Sequence, residues 1–143
     1  MTVAAILATK GREVLTTTVA ASVAEAVDML ARHKIGALVV VDNAERIAGI
    51  VSERDIVHAV ARNGADALAS PVGSIMTQTV VTCTEGETIN EVMTRMTHGR
   101  FRHLPVVAGG RLAGIISIGD VVKARIEQVE REAEEMRAYI AAT

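Results

Sequence analysis

Gly114-Ile115-Ile116-Ser117-Ile118-Gly119-Asp120-Val121-Val122 is the second appearance of a pattern first written as Gly49-Ile50-Val51-Ser52-Glu53-Arg54-Asp55-Ile56-Val57. Both stretches read as the apolar end of a strand, then Ser-x-x-Asp, then the start of a helix. A Ser followed three residues later by an acid is a helix N-terminus signature, because each side chain reaches a backbone N–H that the first turn leaves without a partner. A cap alone explains one copy. Two copies at matched places point to a pair of equivalent sites.

Working outward, the duplication extends through the chain. Ser22-Val23-Ala24-Glu25 is matched by Thr88-Ile89-Asn90-Glu91, and Val14-Leu15-Thr16-Thr17-Thr18 by Val80-Val81-Thr82-Cys83-Thr84. The turn Asp42-Asn43-Ala44-Glu45 becomes the shorter Ala108-Gly109-Gly110. Each unit therefore reads strand, capped helix, strand, turn, strand, Ser-x-x-Asp helix. β-Branched Val14 to Thr18 favours a strand. Ala37 to Val41 is apolar throughout, as in a strand buried on both faces. Asn63-Gly64 ends the first Ser-x-x-Asp helix, and Ser70-Pro71 reads as a cap with proline at the first helical position. Val3-Ala4-Ala5-Ile6-Leu7 and Val72-Gly73-Ser74-Ile75-Met76 are similar lead-ins, whose apolar residues are expected to close the core.

This order resembles the CBS domain, and its duplication resembles a CBS pair, or Bateman module, of the small stand-alone bacterial kind. The resemblance rests on Gly36-Ala37-Leu38-Val39-Val40-Val41-Asp42 with Gly49 to Asp55, and on Arg102-His103-Leu104-Pro105-Val106-Val107 with Gly114 to Asp120. It implies an α/β fold of two tandem β-α-β-β-α repeats packed with pseudo-two-fold symmetry, plus an extended C-terminal helix. The expected boundaries are 1–64 for the first repeat with its lead-in, 65–71 for a linker, 72–126 for the second repeat and 127–143 for the helical extension.

A helix N-terminus favours a phosphate, and a carboxylate one turn in suits a ribose diol. The resemblance assigns those roles to Ser52 and Asp55 and to Ser117 and Asp120, in clefts between the repeats. Gly119 leaves its backbone open to close approach. Arg54 adds a cation in the first unit, while Arg102 and His103, ahead of Pro105, stand where the family often has basic phosphate contacts. Adenine is expected among Ile35, Val51, Ile116 and Pro105. The implied function is a regulatory sensor that binds an adenosine-containing molecule and shifts between conformations or assemblies. AMP or NAD fits best, because no basic cluster matches a triphosphate. ADP, ATP and S-adenosylmethionine are the alternatives, and no cofactor is required. The competing reading is a structural interaction module with vestigial clefts.

Composition narrows the remaining classes. Half of the 143 residues are hydrophobic, yet Phe101 and Tyr139 are the only aromatics, so the core is aliphatic. A repeat of about 65 residues is marginal alone, which favours a shared core. A net charge of −2 without a basic block gives nucleic acid no footprint. His33, His58, His98 and His103 show no metal spacing with Cys83, and no nucleophile or phosphate-loop motif appears, so catalysis is not expected. Lone Cys83, the absence of a signal-like start and the lack of a spanning apolar run lead to an expected cytoplasmic protein without membrane contact. Val122, Ile126, Val129, Ala133, Met136 and Ile140 recur at steps of four and three along the last helix. That stripe either lies on its own domain or faces a second subunit. The resemblance favours a homodimer, and an unidentified protein partner would receive its signal.

Overall fold

The computed structural model describes residues 1–142. In order, the elements are α1 (Val3–Lys10), β1 (Thr16–Thr18), α2 (Val23–His33), β2 (Ala37–Val41), β3 (Ile47–Ser52), α3 (Glu53–Asn63), α4 (Ile89–Gly99), β4 (His103–Ala108), β5 (Arg111–Ser117) and α5 (Ile118–Ala142). Two short 3-10 turns, Gly64–Ala69 and Val72–Ser74, lie between α3 and α4. The chain folds as two compact units. One comprises Glu13–Val81 with the hairpin tip Gly110–Leu112, and the other Met1–Arg12, Thr82–Gly109 and the described residues from Ala113 onward.

In the unit built on Glu13–Val81, β1 runs parallel to β2, with Thr17 opposite Val40, and β3 returns antiparallel with Val51 opposite Leu38. The apolar run of β2 is buried from Ala37 to Val40, so both faces of the strand are covered. Leu38, Val40 and Val51 pack with Ala26 and Leu30 of α2 and with Val72. Val72 belongs to the second lead-in, so the first repeat takes part of its core from the segment that opens the second.

The other unit makes the reciprocal exchange. The N–H of Val3 donates to Glu87 O (2.9 Å) and that of Ile89 to Met1 O (3.1 Å). In the first unit Val72 N–H donates to Ala21 O (2.7 Å) and Val23 N–H to Ser70 O (2.9 Å). Both lead-ins thus satisfy the first backbone donor of the helix they reach, α4 or α2, which a helix start leaves without an intrahelical partner. The lead-in read from sequence as the head of the first repeat accordingly folds against the second. Val3 and Leu7 are buried there with Ile89, Val92, Met96, Leu104, Ile116 and Val121.

The capped starts of α2 and α4 form as expected, Ser22 Oγ accepting from Glu25 N–H (3.1 Å) and Thr88 Oγ1 from Glu91 N–H (3.2 Å). The strand expected at Val80 to Thr84 does not form; a single parallel bridge joins Cys83 to Val106. Cys83 N–H donates to Pro105 O (3.0 Å) and Val107 N–H to Cys83 O (2.9 Å). The next rung of a parallel ladder requires an N–H from residue 105, and proline has none. Pro71, expected at a first helical position, instead precedes the Val72–Ser74 turn as its cap residue.

Only the start of α5 is buried, at Val121 and Ala124. Val122, Ile126, Val129 and Met136 are exposed, Ile126 by 53%. Much of the apolar stripe therefore does not lie on its own domain. Among the described residues, no helix is long and apolar enough to cross a membrane.

Candidate functional site

Each Ser-x-x-Asp sequence folds into a reciprocal cap where a strand, β3 or β5, turns into a helix. At the start of α3, Ser52 N–H donates to Asp55 Oδ2 (2.9 Å) and Asp55 N–H to Ser52 Oγ (3.3 Å). At the start of α5, Ser117 N–H donates to Asp120 Oδ2 (2.8 Å) and Asp120 N–H to Ser117 Oγ (3.2 Å). The residue after each serine is anchored to the preceding strand region: Glu53 N–H donates to Gly36 O (3.0 Å) and Ile118 N–H to Arg102 O (2.8 Å). The two carboxylates are thus held at matched helix entrances, half-buried.

The lead-ins complete these entrances. Thr77 pairs with Ile50 through both backbone groups (3.0 and 2.8 Å), and its hydroxyl donates to Asp55 Oδ1 (3.2 Å). In the other unit Lys10 takes the corresponding place. Its ammonium donates to Ile115 O (2.8 Å) and to Asp120 Oδ2 (2.6 Å). Burial raises the pKa of Asp120, but the Lys10 ammonium and the Ser117 donor outweigh it and hold the carboxyl below its ordinary 3.8. Asp120 is therefore ionised at neutral pH.

Close packing accounts for the glycine that opens the first motif. A Cβ at Gly49 would lie 2.7 Å from both Thr77 O and Met76 Sδ, so any larger residue there displaces the lead-in. Gly119 differs: a Cβ would meet only Ser117 Oγ, at 3.6 Å. The protein's own packing does not require glycine there.

The remaining sequence-derived residues fall into three groups. Arg54 is exposed on the first turn of α3. Arg102 is exposed and His103 opens β4, in the same compact unit as Asp120. The expected adenine wall lies mostly inside the fold. Val51 and Ile116 are 0% exposed and Pro105 is buried in β4, so three of its four members are core residues. Along β3 and β5 burial alternates, with Gly49, Val51, Gly114 and Ile116 on the buried face and Ile50, Ser52, Ile115 and Ser117 half-buried on the other.

Sequence reasoning did not select Lys10 or Thr77. Both lie in lead-ins far along the chain from the carboxylates they touch, so local spacing carries no sign of the contact. It also passed over an open cavity of about 470 Å³ beside Asp55, lined by His58, Ala59, Arg62, Ser70 and Met76 among others. Cys83 is buried, and its thiol is pushed up to about 11 by burial, with Glu87 adding to the effect. It is a core thiol without thiolate reactivity at neutral pH. Glu87 itself is held below the usual carboxylate range by its pairing with Arg95, despite partial burial.

Comparison with known proteins places this architecture. The family model described as CBS domain matches residues 4–62 and again residues 72–127. The structure of a CBS-domain containing protein from Agrobacterium tumefaciens is 52% identical, with a TM-score of 0.85, over 87% of this chain and 92% of that one. The CBS domain pair of protein MJ0100, solved in complex with 5′-methylthioadenosine and S-adenosyl-L-methionine, is 28% identical with a TM-score of 0.80, over 90% and 98% of the two chains. CBS domain-containing protein CBSX3, mitochondrial, of Arabidopsis thaliana is 37% identical over 123 residues, or 83% of this chain. The chain spans 60% of that relative's length.

Proposed function

This chain belongs to the CBS-domain family, and from that premise we propose that it is a sensor of an adenosine nucleotide, AMP or NAD, with one site at each Ser-x-x-Asp helix entrance. The observation that carries the reading is the duplicated entrance, where a serine cap, a half-buried carboxylate and a lead-in donor recur in both units. Donors at a helix start serve a phosphate, and the carboxylate oxygens serve the ribose diol. The roles of Ser52, Asp55, Ser117 and Asp120 follow from this division of labour, with Gly119 giving backbone access, Arg54 and Arg102 supplying positive charge and His103 a polar contact to phosphate. The cavity beside Asp55 has the volume typical of small-molecule sites. The adenosine ligands of MJ0100 support the same ligand class here.

Signalling follows if the ligand favours one of two arrangements, because a ligand shifts an equilibrium only by its differential affinity. A cytoplasmic setting belongs to this proposal, supported by a lone, buried, reduced-type cysteine. This role requires no catalytic group.

The experiment is a thermal-shift panel of AMP, ADP, ATP, NAD and S-adenosylmethionine on the full chain. At one hundred times its dissociation constant a ligand adds about 2.7 kcal/mol, several degrees for a chain of this size. A shift with AMP or NAD supports the proposal. A folded protein that shifts with none of the five points to an interaction module with vestigial sites.

Homodimerisation is part of the same proposal, supported by the exposed stripe Val122, Ile126, Val129 and Met136 on α5. Covering that stripe removes apolar area from water, which favours association. Sedimentation should find a dimer that the double change Ile126→Glu with Val129→Glu converts to monomer. A wild-type monomer at tens of micromolar contradicts this part.

A further inference from the structure

The two helix entrances share their caps but not the group that the lead-in delivers. At Asp55 the partner is neutral: the Thr77 hydroxyl occupies Oδ1, while Ser52 N–H and Ser52 Oγ both lie against Oδ2 (2.9 and 3.1 Å). Arg54, His58 and Arg62 are nearby on α3, but none forms an ion pair with Asp55 among the described residues. At Asp120 the partner is a cation seated directly on the carboxylate, with Lys10 Nζ 2.6 Å from Oδ2. Lys10 also replaces Thr77 in its second contact, since Ile115 O accepts from the ammonium where Ile50 O accepts from the Thr77 backbone.

An ammonium has three protons to donate. Two are committed, to Asp120 Oδ2 and Ile115 O, so one charged donor is left for a ligand. Asp120 Oδ1 accepts no hydrogen bond among the described residues, so it stays open to a ribose hydroxyl. The Asp120 entrance therefore offers an acceptor and a charged donor side by side. Lys10 is one-third exposed, enough for a ligand to reach it.

We propose that Lys10 is the charge-selecting residue of the Asp120 site, making that site take phosphate-bearing adenosine ligands in preference to the uncharged nucleoside or a cationic sulfonium. A ribose held on Asp120 lies within a few ångströms of the Lys10 ammonium. At about 4 Å two unit charges near a protein surface interact strongly enough for a tenfold or larger effect on affinity. The sign is attractive for a phosphate and repulsive for a sulfonium. The inference rests on the adenosine reading above and adds its charge rule.

The test is calorimetry of AMP and of adenosine on the full chain carrying Asp55→Asn, so that the Asp120 site is measured alone. On that background Lys10→Met should weaken AMP about tenfold while adenosine stays within about twofold. Lys10→Arg should restore most of the AMP affinity. Lys10→Gln, which keeps a donor but loses the charge, should resemble Lys10→Met and stands in for it if the methionine variant is poorly folded. Equal changes for AMP and adenosine, or no change in AMP, would overturn the role of Lys10 while leaving the adenosine reading intact. Failure of the Asp55→Asn protein and of the wild type to bind either molecule would overturn both.

Discussion

Asp120→Ala is expected to weaken AMP binding by about ten- to a hundredfold, and Asp55→Ala by less. A hydrogen bond to a charged group contributes about 1.5–3 kcal/mol, and each 1.4 kcal/mol is tenfold in affinity. The difference between the sites follows from their surroundings. Asp120 shares its compact unit with Lys10, Arg102 and His103, and Arg102 is tied through its carbonyl to the first residue of α5. Asp55 has both oxygens engaged by neutral donors before any ligand arrives. The alanine change also removes the acidic half of the reciprocal cap, which lowers stability. Melting temperatures of both variants, and Asp→Asn versions that keep one side-chain oxygen, separate that loss from lost binding. Equal weakening by Asp55→Ala and Asp120→Ala would contradict the asymmetry.

Leu7→Ala should destabilise the protein by about 2–5 kcal/mol, the range for emptying a buried leucine site. That is a large share of the 5–15 kcal/mol that holds a domain folded. Leu7 is fully buried, and its methyls lie where a Cβ on Gly114 would stand, 2.8 Å from the nearer one. It therefore fixes α1 against the strand that leads into Ser117 and Asp120. Hydrogen exchange should show the loss first in the unit containing α1, α4 and α5, at amides such as Ile89, Cys83 and Val107. A cost below about 1 kcal/mol, or first loss in β2 and β3, would show that α1 does not support the second repeat.

The legible parts of the fold were local. Four helix starts could be read because a cap reaches only three residues ahead, and Ser22, Ser52, Thr88 and Ser117 all engage the predicted acidic position. The buried β2 strand followed from five successive apolar residues. The repeat order then identified the family.

What escaped the sequence was non-local or conformational. Nothing in Val3 to Leu7 indicates that it packs on the second repeat rather than the first. The missing first strand of that repeat depends on Pro105 having no N–H for a partner distant in sequence. Lys34 and Arg100 end α2 and α4 in the left-handed region, φ 54° and 58°, where a glycine would have announced the stop. Which strand face is buried was also not legible: Val51 and Ile116, expected beside adenine, lie on the buried face of β3 and β5. Lys10 looked like part of a polar turn, yet α1 runs on through it and delivers its ammonium to Asp120.

The most direct measurement is an amide-resolved NMR titration of the full chain with AMP. The account predicts saturable shifts concentrated at the two helix entrances, Ser52 to Asp55 and Ser117 to Asp120, with the second set saturating at lower AMP. Saturable shifts elsewhere on the chain, or none at millimolar AMP and then NAD, would contradict the assignment of these entrances as the ligand sites.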